Sequence, residues 1–189
     1  LPAIDKLLQK ERLKLEGIDA FLIGRGPGSF TGLRIGFATL KGFLAVSGKP
    51  CYGALSLDLI AAGIPLSKNL KNVTVCVDAR RAKLYTRAYR YLRGQCRATG
   101  PLQVLPCAEA ANSIPKDHLL IGDGIKKIAP QARQILPEEQ ALPKAETLIE
   151  LFTLKHPFLK KLTRPKEGLP VYLRHSEPEE KLAEAKKHA

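Results

Sequence analysis

The sequence contains no methionine and no tryptophan, and its four cysteines form no CxxC pair. They are Cys51, Cys76, Cys96 and Cys107, and no histidine stands near them at a ligand spacing. This pattern predicts neither a zinc site nor a disulfide framework, and it is typical of reduced cytoplasmic thiols. Because residue 1 is not an initiator methionine, we expect that a further N-terminal portion precedes it in the gene product.

Long apolar runs are also scarce. The stretch LDLIAAGIPL is short and contains Asp58, and the N-terminal segment LPAIDKLLQK is interrupted by charges. We therefore predict neither a membrane span nor an export signal, and we expect a cytoplasmic protein. Acidic residues are few, with 18 Asp and Glu against 31 Lys and Arg, and the resulting net charge of +13 favours an anionic partner such as RNA or an acidic protein face.

No constellation of catalytic residues stands out. The four histidines, His118, His156, His175 and His188, include no HxxxH pair, so a helical zinc peptidase site is absent. Asp78 and Asp123 follow predicted strands, but a ribonuclease H type of metal site needs three or four converging acids. Ordinary turn chemistry is the preferred interpretation of both residues. The sequence predicts no metal site and no catalytic residue.

Short apolar strands alternate with helical periodicities along the chain, which indicates an α/β protein with two lobes. We place a partial N-terminal lobe at residues 1–67, a C-terminal lobe at 68–160, and a C-terminal segment with a charged tail at 161–189. The first lobe has few strands for its helices to cover. We therefore expect it to be incomplete, lacking a strand-rich beginning.

A glycine-rich loop, GRGPGSFTGLRIG at residues 24–36, separates a predicted strand from a predicted helix. This arrangement suits an anion, because helix N-termini present backbone N–H groups. However, the spacing matches neither GxGxxG nor the P-loop, and proline removes one donor. We prefer a structural loop with a tight turn, a capping hydroxyl and glycines that allow another backbone to approach, formed by Gly26, Pro27, Gly28, Ser29, Thr31, Gly32 and Gly36.

The helix predicted at residues 31–47 has two different faces. Small residues (Ile35, Ala38, Gly42 and Val46) suit burial in the lobe. The other face mixes large apolar and basic side chains and suits a subunit interface together with the predicted first helix at residues 1–16. The interface candidates are Ile4, Leu7, Leu8, Leu33, Arg34, Phe37, Lys41 and Leu44. The alternative is that N-terminal strands cover this face.

A β-hairpin is predicted from VTVCVD and KLYTRAYRYL, joined at ARRA. Alternation places cations and aromatics on one face of the second strand, where they would suit RNA backbones and unstacked bases. Tyr91 lies on the same face, and the candidate RNA contacts are Lys83, Tyr85, Arg87, Tyr89 and Arg93. A solvated or packed face with no RNA role is an equally good interpretation.

The motifs GPGSFTGLRIGFATLKGFLAVSGKP, CYGALSLDLIAAG, VDARRAKLYTRAY, LIGDG and LPVYLR occur in this order. Together they resemble the bacterial TsaB (YeaZ) family of tRNA threonylcarbamoyladenosine biosynthesis. The resemblance implies a two-lobed actin, sugar kinase and Hsp70 type of fold with ribonuclease H-like lobes. It also implies a noncatalytic subunit that binds the catalytic subunit TsaD through helices matching residues 1–16 and 31–47, with homodimers using the same surface.

The family resemblance further implies a complex with TsaE and ATP that modifies the adenosine next to the anticodon of tRNA. No cofactor is expected on this chain itself, since ATP is used by the complex. Asp78-Ala79-Arg80 has arginine where a DxG phosphate motif would need glycine. Two alternatives stay open, namely an ATPase or peptidase-like enzyme of the same superfamily and a tRNA-binding module.

Overall fold

The computed structural model describes residues 1–65, 72–128, 141–163 and 170–173. These ranges contain both helices and strands, which confirms the α/β class. In chain order they are α1 (Pro2–Lys10), β1 (Phe21–Gly24), α2 (Phe30–Ser47), β2 (Cys51–Ala54), α3 (Ser56–Ala62), β3 (Asn72–Asp78), β4 (Lys83–Leu92), β5 (Gln95–Ala98), β6 (Gln103–Pro106), α4 (Cys107–Ser113), β7 (Leu119–Ile121), α5 (Ala145–Thr153) and β8 (Lys160–Lys161).

The chain divides into two compact units, Leu1–Ser56 with Ala145–Pro170 and Leu57–Lys144 with Val171–Ala189. In the first unit, β1 and β2 pair in parallel and β8 adds to β2 in the antiparallel sense. Helix α2 is the crossover that a parallel pair requires. Gly48 ends the helix at a φ of 63°, a left-handed conformation that favours glycine.

The second unit is built on a five-stranded sheet in the order β5-β4-β3-β7, with β6 also paired to β4. β3 and β4 form an antiparallel hairpin over their whole length, and β7 lies parallel to β3. The other edge of β4 is shared, because β6 pairs with its first half and β5 with its second. A buried cluster of Cys76, Leu84, Ala110 and Ile125 fills the space beside this sheet.

The division between the units differs from the predicted boundaries at 67/68 and 160/161. α5 belongs to the first unit, where the Phe152 ring lies against Tyr52 with centroids 5.1 Å apart. Most of α3 belongs to the second unit, because Asp58 accepts hydrogen bonds from β4. These contacts join residues far apart in sequence, so local composition gave no sign of them. The charged tail from residue 174 onward lies outside the described residues.

Other differences are local. α1 ends at Lys10, and residues 15–17 form a separate 3-10 turn instead of continuing the helix. The short strands β5 and β8 were not predicted. The sequence also predicts a helix around residues 125–136. The structure has a 3-10 helix over Asp123–Lys127, and residues 129–136 lie outside the described residues.

Candidate functional site

The glycine loop between β1 and α2 is fixed by backbone hydrogen bonds. The Arg25 N–H donates to the carbonyl of Ala54 at 2.8 Å, and the Ser56 N–H donates to the carbonyl of Gly26 at 2.8 Å. Gly26 and Pro27 are both buried. Gly26 has a φ of 87°, a left-handed conformation that favours glycine. Ser29 caps the helix, because its Oγ accepts from the Gly32 N–H at 3.2 Å. These contacts fit the structural interpretation of the loop.

No backbone of this chain lies against Gly32 or Gly36, so close approach to the sheet of the first unit does not explain these glycines, and close approach of a partner helix stays a prediction. A Cβ on Gly36 would lie 3.9 Å from the Ile23 side chain, and one on Gly32 would lie 3.3 Å from the Oγ of the capping serine. A Cβ on Gly28 would meet nothing within 4 Å. Thr31 is exposed. Large side chains, Phe37 and Leu40, set the spacing between α2 and the sheet, so the glycines are not needed for close approach to that sheet.

The buried and exposed faces of α2 are opposite to those predicted. Phe37 is only 3% exposed and packs with Leu40 and Cys51 in the core of the first unit. Ile35 is 63% exposed and Val46 is 79% exposed, although both were expected to be buried. Burying the larger side chains removes more apolar area from water, so they face the sheet. The exposed stripe of α2 consists of Ile35, Ala38, Gly42, Ala45 and Val46.

The other interface candidates divide between solvent and core. Ile4 and Leu7 are exposed, and no residue of α1 is buried. Arg34 and Lys41 are exposed beside the stripe, and the Arg34 guanidinium lies 3.9 Å from the Phe30 ring centroid. Leu8, Leu33 and Leu44 are half-buried, with Leu44 packed against the Phe37 cluster. Phe37 is therefore a core residue and not an interface residue.

The tyrosines of β4 are turned away from solvent, and two of them, Tyr89 and Tyr91, bond α3, which corrects the predicted RNA face. Tyr85, Tyr89 and Tyr91 are buried, so their rings offer no surface for base stacking. The Tyr91 hydroxyl donates to the carbonyl of Ala61 at 2.6 Å, and the Tyr89 hydroxyl donates to Asp58 at 2.7 Å. Burial, reinforced by the neighbouring carboxylate, raises the pKa of Tyr89.

Asp58 is a buried counter-ion that the sequence analysis did not identify. Its Oδ1 accepts hydrogen bonds from the Tyr89 hydroxyl and, at 2.8 Å, from Nη1 of Arg87. Arg87 also donates through Nε to the carbonyl of Gly100 at 3.2 Å. The signal was present, because an acid within the apolar run LDLIAAG must find a partner if that run is buried.

The turn between β3 and β4 carries a cluster of cations around Asp78. Its residues Arg80, Arg81 and Ala82 all have left-handed backbones, with φ values of 62°, 48° and 52°. Each such residue costs about 1–2 kcal/mol when it is not glycine. Lys127 donates to Asp78 Oδ1 at 2.7 Å, and the Arg80 guanidinium lies 3.7 Å from Oδ2. We call Arg80, Arg81, Lys126 and Lys127 the turn cluster.

The Asp78 carboxylate organises this turn. It accepts from the Arg80 N–H at 2.7 Å, while the Asp78 N–H donates to Asp123 at 2.9 Å. Partial burial acts to raise the pKa of Asp78, but the hydrogen bonds from Lys127 and Arg80 and their charges lower it below its usual value. Both acids are thus engaged in turn structure, in agreement with the sequence interpretation. Two of the candidate RNA contacts lie at opposite ends of β4. Lys83 is half-buried and Arg93 is exposed.

Two glycines bring Lys126 and Lys127 to the turn. Gly122 has a φ of 122°, and a Cβ there would overlap the carbonyl oxygen of Cys76. A Cβ on Gly124 would lie 2.6 Å from a Leu84 methyl and 3.0 Å from that same carbonyl oxygen. The 3-10 helix therefore lies directly on β3 only because these positions lack side chains. The LIGDG motif has a packing explanation.

The described residues contain no group of three or more His, Cys, Asp or Glu that could hold a metal ion. Among the same residues, no helix is both long enough and apolar enough to cross a membrane.

Comparison with known proteins gives consistent matches. Residues 1–153 match the family model of TsaD, tRNA N6-adenosine threonylcarbamoyltransferase. The tRNA threonylcarbamoyladenosine biosynthesis protein TsaB of Haemophilus influenzae is 30% identical over 96% of this chain and 81% of its own. TsaB of Escherichia coli is 33% identical over 48% of this chain and 39% of its own. The solved structure of YeaZ from Pseudomonas aeruginosa is 27% identical, with a TM-score of 0.71 over 90% of this chain and 82% of its own.

Proposed function

This chain belongs to the TsaB (YeaZ) family, and from that premise we propose that it takes part in forming N6-threonylcarbamoyladenosine in tRNA. Its role is that of a noncatalytic partner subunit that binds and supports TsaD. ATP is used by the assembled complex with TsaE, and tRNA is engaged through that complex.

The observation that carries this proposal is the exposed stripe of α2. Ile35, Ala38, Gly42 and Val46 recur at helical spacing, so they lie on one side of the helix. The two large members are largely exposed, which is unusual for β-branched apolar side chains that have no partner. Apolar strips of this kind, bordered by charges such as Arg34 and Lys41, are typical of protein interfaces.

The nature of the partner is supported by the match to the TsaD family model. That match covers both α1 and α2. A subunit with an equivalent helix pair can contact this one through the same surface on each side, as in an isologous interface. The same geometry allows a second copy of this chain to take the place of TsaD, so homodimers are expected when TsaD is absent.

The noncatalytic role is supported by the hydrogen bonds that the carboxylates of Asp78 and Asp123 make. Asp78 and Asp123 each bond a backbone N–H of the turn. A carboxylate used in this way is committed to structure, and the described residues contain no cluster of metal ligands. We therefore propose that ATP hydrolysis needs the other subunits.

The test is co-purification with tagged TsaD of the same organism, comparing wild type with Ile35→Asp. A charge within an apolar interface should weaken the complex at least tenfold, or about 1.4 kcal/mol. The control is Leu154→Asp, since Leu154 is 73% exposed and lies outside both helices. Equal binding by wild type and Ile35→Asp, or failure of the folded wild type to bind, would reject the proposal.

A further inference from the structure

We infer that the β4–β5 hairpin binds the phosphate backbone of RNA through an arginine surface, formed by Arg90, Arg93 and Arg97. Arg90 and Arg97 lie on the side of the sheet opposite to the buried tyrosines, so this surface shares only Arg93 with the predicted RNA face. The inference goes beyond the role of partner subunit, because it gives this chain a nucleic-acid contact of its own. The surface chemistry specifies phosphate, and the choice of RNA as its source rests on the proposed role in tRNA modification.

The two strands of the hairpin place two arginines directly opposite each other. Arg90 of β4 pairs with Arg97 of β5 in the antiparallel register. Their side chains therefore leave the same face of the sheet, with Cβ atoms about 5 Å apart. Arg93 occupies the connecting turn, and all three side chains are exposed. The hairpin thus brings three guanidinium groups to one end of the sheet.

The hydrogen bonds of these arginines go to neutral amides. Arg90 donates through Nε to Asn72 Oδ1 at 3.3 Å, and Arg97 donates through Nη2 to Gln95 Oε1 at 2.9 Å. Asp117 accepts from the Asn72 amide at 3.0 Å and does not bond an arginine. Within the part of the chain that the structure describes, none of the three arginines forms an ion pair with a carboxylate.

This charge arrangement opposes folding. Like charges directly opposite each other on neighbouring strands repel, as Arg90 and Arg97 must. Arg93 has a φ of 50°, a left-handed conformation for which such turns favour Asn, Asp or Gly. Residues 79–108 contain no Asp or Glu that could offset the repulsion from within the hairpin. An anion that bridges the guanidinium groups would remove the repulsion, and for this reason we assign them a ligand.

The arginine surface is open to a large ligand. On this side of the sheet α4 covers the first half of β4, where Leu84 packs with Ala110. The second half is uncovered, since Arg90 and Leu92 are exposed. A guanidinium has several N–H donors, and the amide contacts use only one on Arg90 and one on Arg97. The remaining donors can bond phosphate oxygens, for which the planar guanidinium is well suited.

The surroundings favour a polyanion over a protein partner. Leu92 is the one large exposed apolar side chain of β4 and β5, both of which lie entirely within the described residues. A single leucine among three arginines does not form the apolar, charge-depleted centre that is typical of protein interfaces. Because the tyrosines of β4 are buried, they cannot stack on bases. The contact should therefore be to the RNA backbone and independent of base sequence.

The test is fluorescence anisotropy with the protein alone and a labelled, unmodified tRNA transcript over a series of KCl concentrations. The test variant is Arg90→Gln/Arg93→Gln/Arg97→Gln. We expect binding weaker by about tenfold or more at about 0.1 M salt, and a plot of log affinity against log salt that is shallower by about two units. Arg90→Lys/Arg97→Lys keeps the charge and should keep the salt slope of wild type. If the triple variant fails to fold, Arg97→Gln alone should reduce the slope by about one unit.

The matched control is Lys155→Gln/Lys160→Gln/Lys161→Gln, which removes the same charge from exposed residues of the first unit. It should bind tRNA nearly as wild type does. Equal loss in the control, an unchanged slope in the glutamine variants, an equal loss of slope in the lysine variant, or no tRNA binding by wild type at low salt would overturn the inference.

Competition separates RNA from an acidic protein. Unlabelled tRNA should displace the labelled transcript at a lower charge concentration than polyglutamate does, because the guanidinium groups select phosphate. Equal displacement by polyglutamate would overturn the inference and assign the surface to an acidic protein. Binding of TsaD is measured separately with Ile35→Asp on α2, so failure of the RNA test leaves the proposed partner role standing.

Discussion

The guanidinium of Arg87 and the carboxylate of Asp58 meet at 2.8 Å, although 29 residues separate them in the chain. The pair joins α3 to β4, and the Tyr89 hydroxyl shares the same carboxylate oxygen. Because the Asp58 side chain is 5% exposed and that of Arg87 is 20% exposed, neither charge is well solvated. The pair therefore fixes α3 over the β4 tyrosines.

Replacing Asp58 by alanine should lower the free energy of unfolding by about 3 kcal/mol, because it leaves a charge and a hydroxyl without their buried acceptor. The control Arg90→Ala removes an exposed side chain that bonds Asn72, and it should cost no more than about 0.5 kcal/mol. Urea unfolding followed by tyrosine fluorescence measures both, since three of the five tyrosines lie on β4. Similar losses in the two variants would argue against a structural role for the pair.

On α2, Phe37→Ala should destabilise the protein by about 3–5 kcal/mol, because it opens a cavity in the core of the first unit. Ile35→Ala, two residues away on the exposed stripe, should change stability by less than about 0.5 kcal/mol. The thermal unfolding midpoints of Phe37→Ala and Ile35→Ala measure this difference. A larger loss for Ile35→Ala would support the sequence prediction, in which Ile35 lies on the buried face.

The glycines of the second unit and of α2 should respond to alanine in opposite directions. Gly122→Ala places a methyl group on the Cys76 carbonyl at a positive φ, so it should destabilise by more than about 1 kcal/mol. Gly42→Ala faces open space inside a helix and should stabilise by about 0.5–1 kcal/mol. Unfolding midpoints of the two variants test this, and a neutral Gly122→Ala would contradict the packing of the 3-10 helix on β3.

Acid should remove part of the stability of the hairpin turn. The pKa of Asp78 is lowered in the folded state. The carboxylate therefore adds its full stabilisation above the pKa of an unfolded aspartate, about 3.9, and this stabilisation is lost as the pH falls through the lower pKa of the folded state. Asp78→Asn should be less stable than wild type at pH 7 and should lose less stability between about pH 5 and pH 2. Parallel unfolding curves across this range would show that the carboxylate is not coupled to folding.

Thiol reactivity should single out Cys107, which is half-buried, whereas the other three cysteines are buried. Burial raises the pKa of Cys76 to about 12, that of Cys96 to about 11, and that of Cys51 above its usual value. Only the thiolate reacts, so iodoacetamide at pH 8 should modify Cys107 first. Mass spectrometry of timed samples checks the order, and early labelling of Cys76 in folded protein would contradict it.

The sequence predicted where helices and strands begin and end better than it predicted which of their faces are buried. Gly48 and Ser29 marked the ends of α2 because capping is local chemistry. The buried face of that helix was predicted wrongly, since apolar residues occur on both sides and only tertiary packing selects Phe37 over Ile35. On β4, alternation placed the tyrosines together but could not show what covers them. Leu84 and Thr86 on the opposite side are buried too, so both faces of that part of the strand are packed.

The turn cluster was missed for a related reason. ARRA was recognised as a connection, but the approach of Lys127 to Asp78 depends on a segment 49 residues away. The glycines of LIGDG were the available signal, because paired glycines after a buried strand indicate close backbone contact.

The shared edge of β4 also bears on how the second unit assembles. The β3–β4 hairpin closes over four residues, and β5 follows β4 after a two-residue turn, so these pairings form with little loss of loop entropy. β7 must instead return from a distant point in the chain to lie parallel to β3. We therefore predict that the β3–β4–β5 meander forms first and that β7 docks on it later, and that the central amides of the meander are the last in that unit to exchange with deuterium.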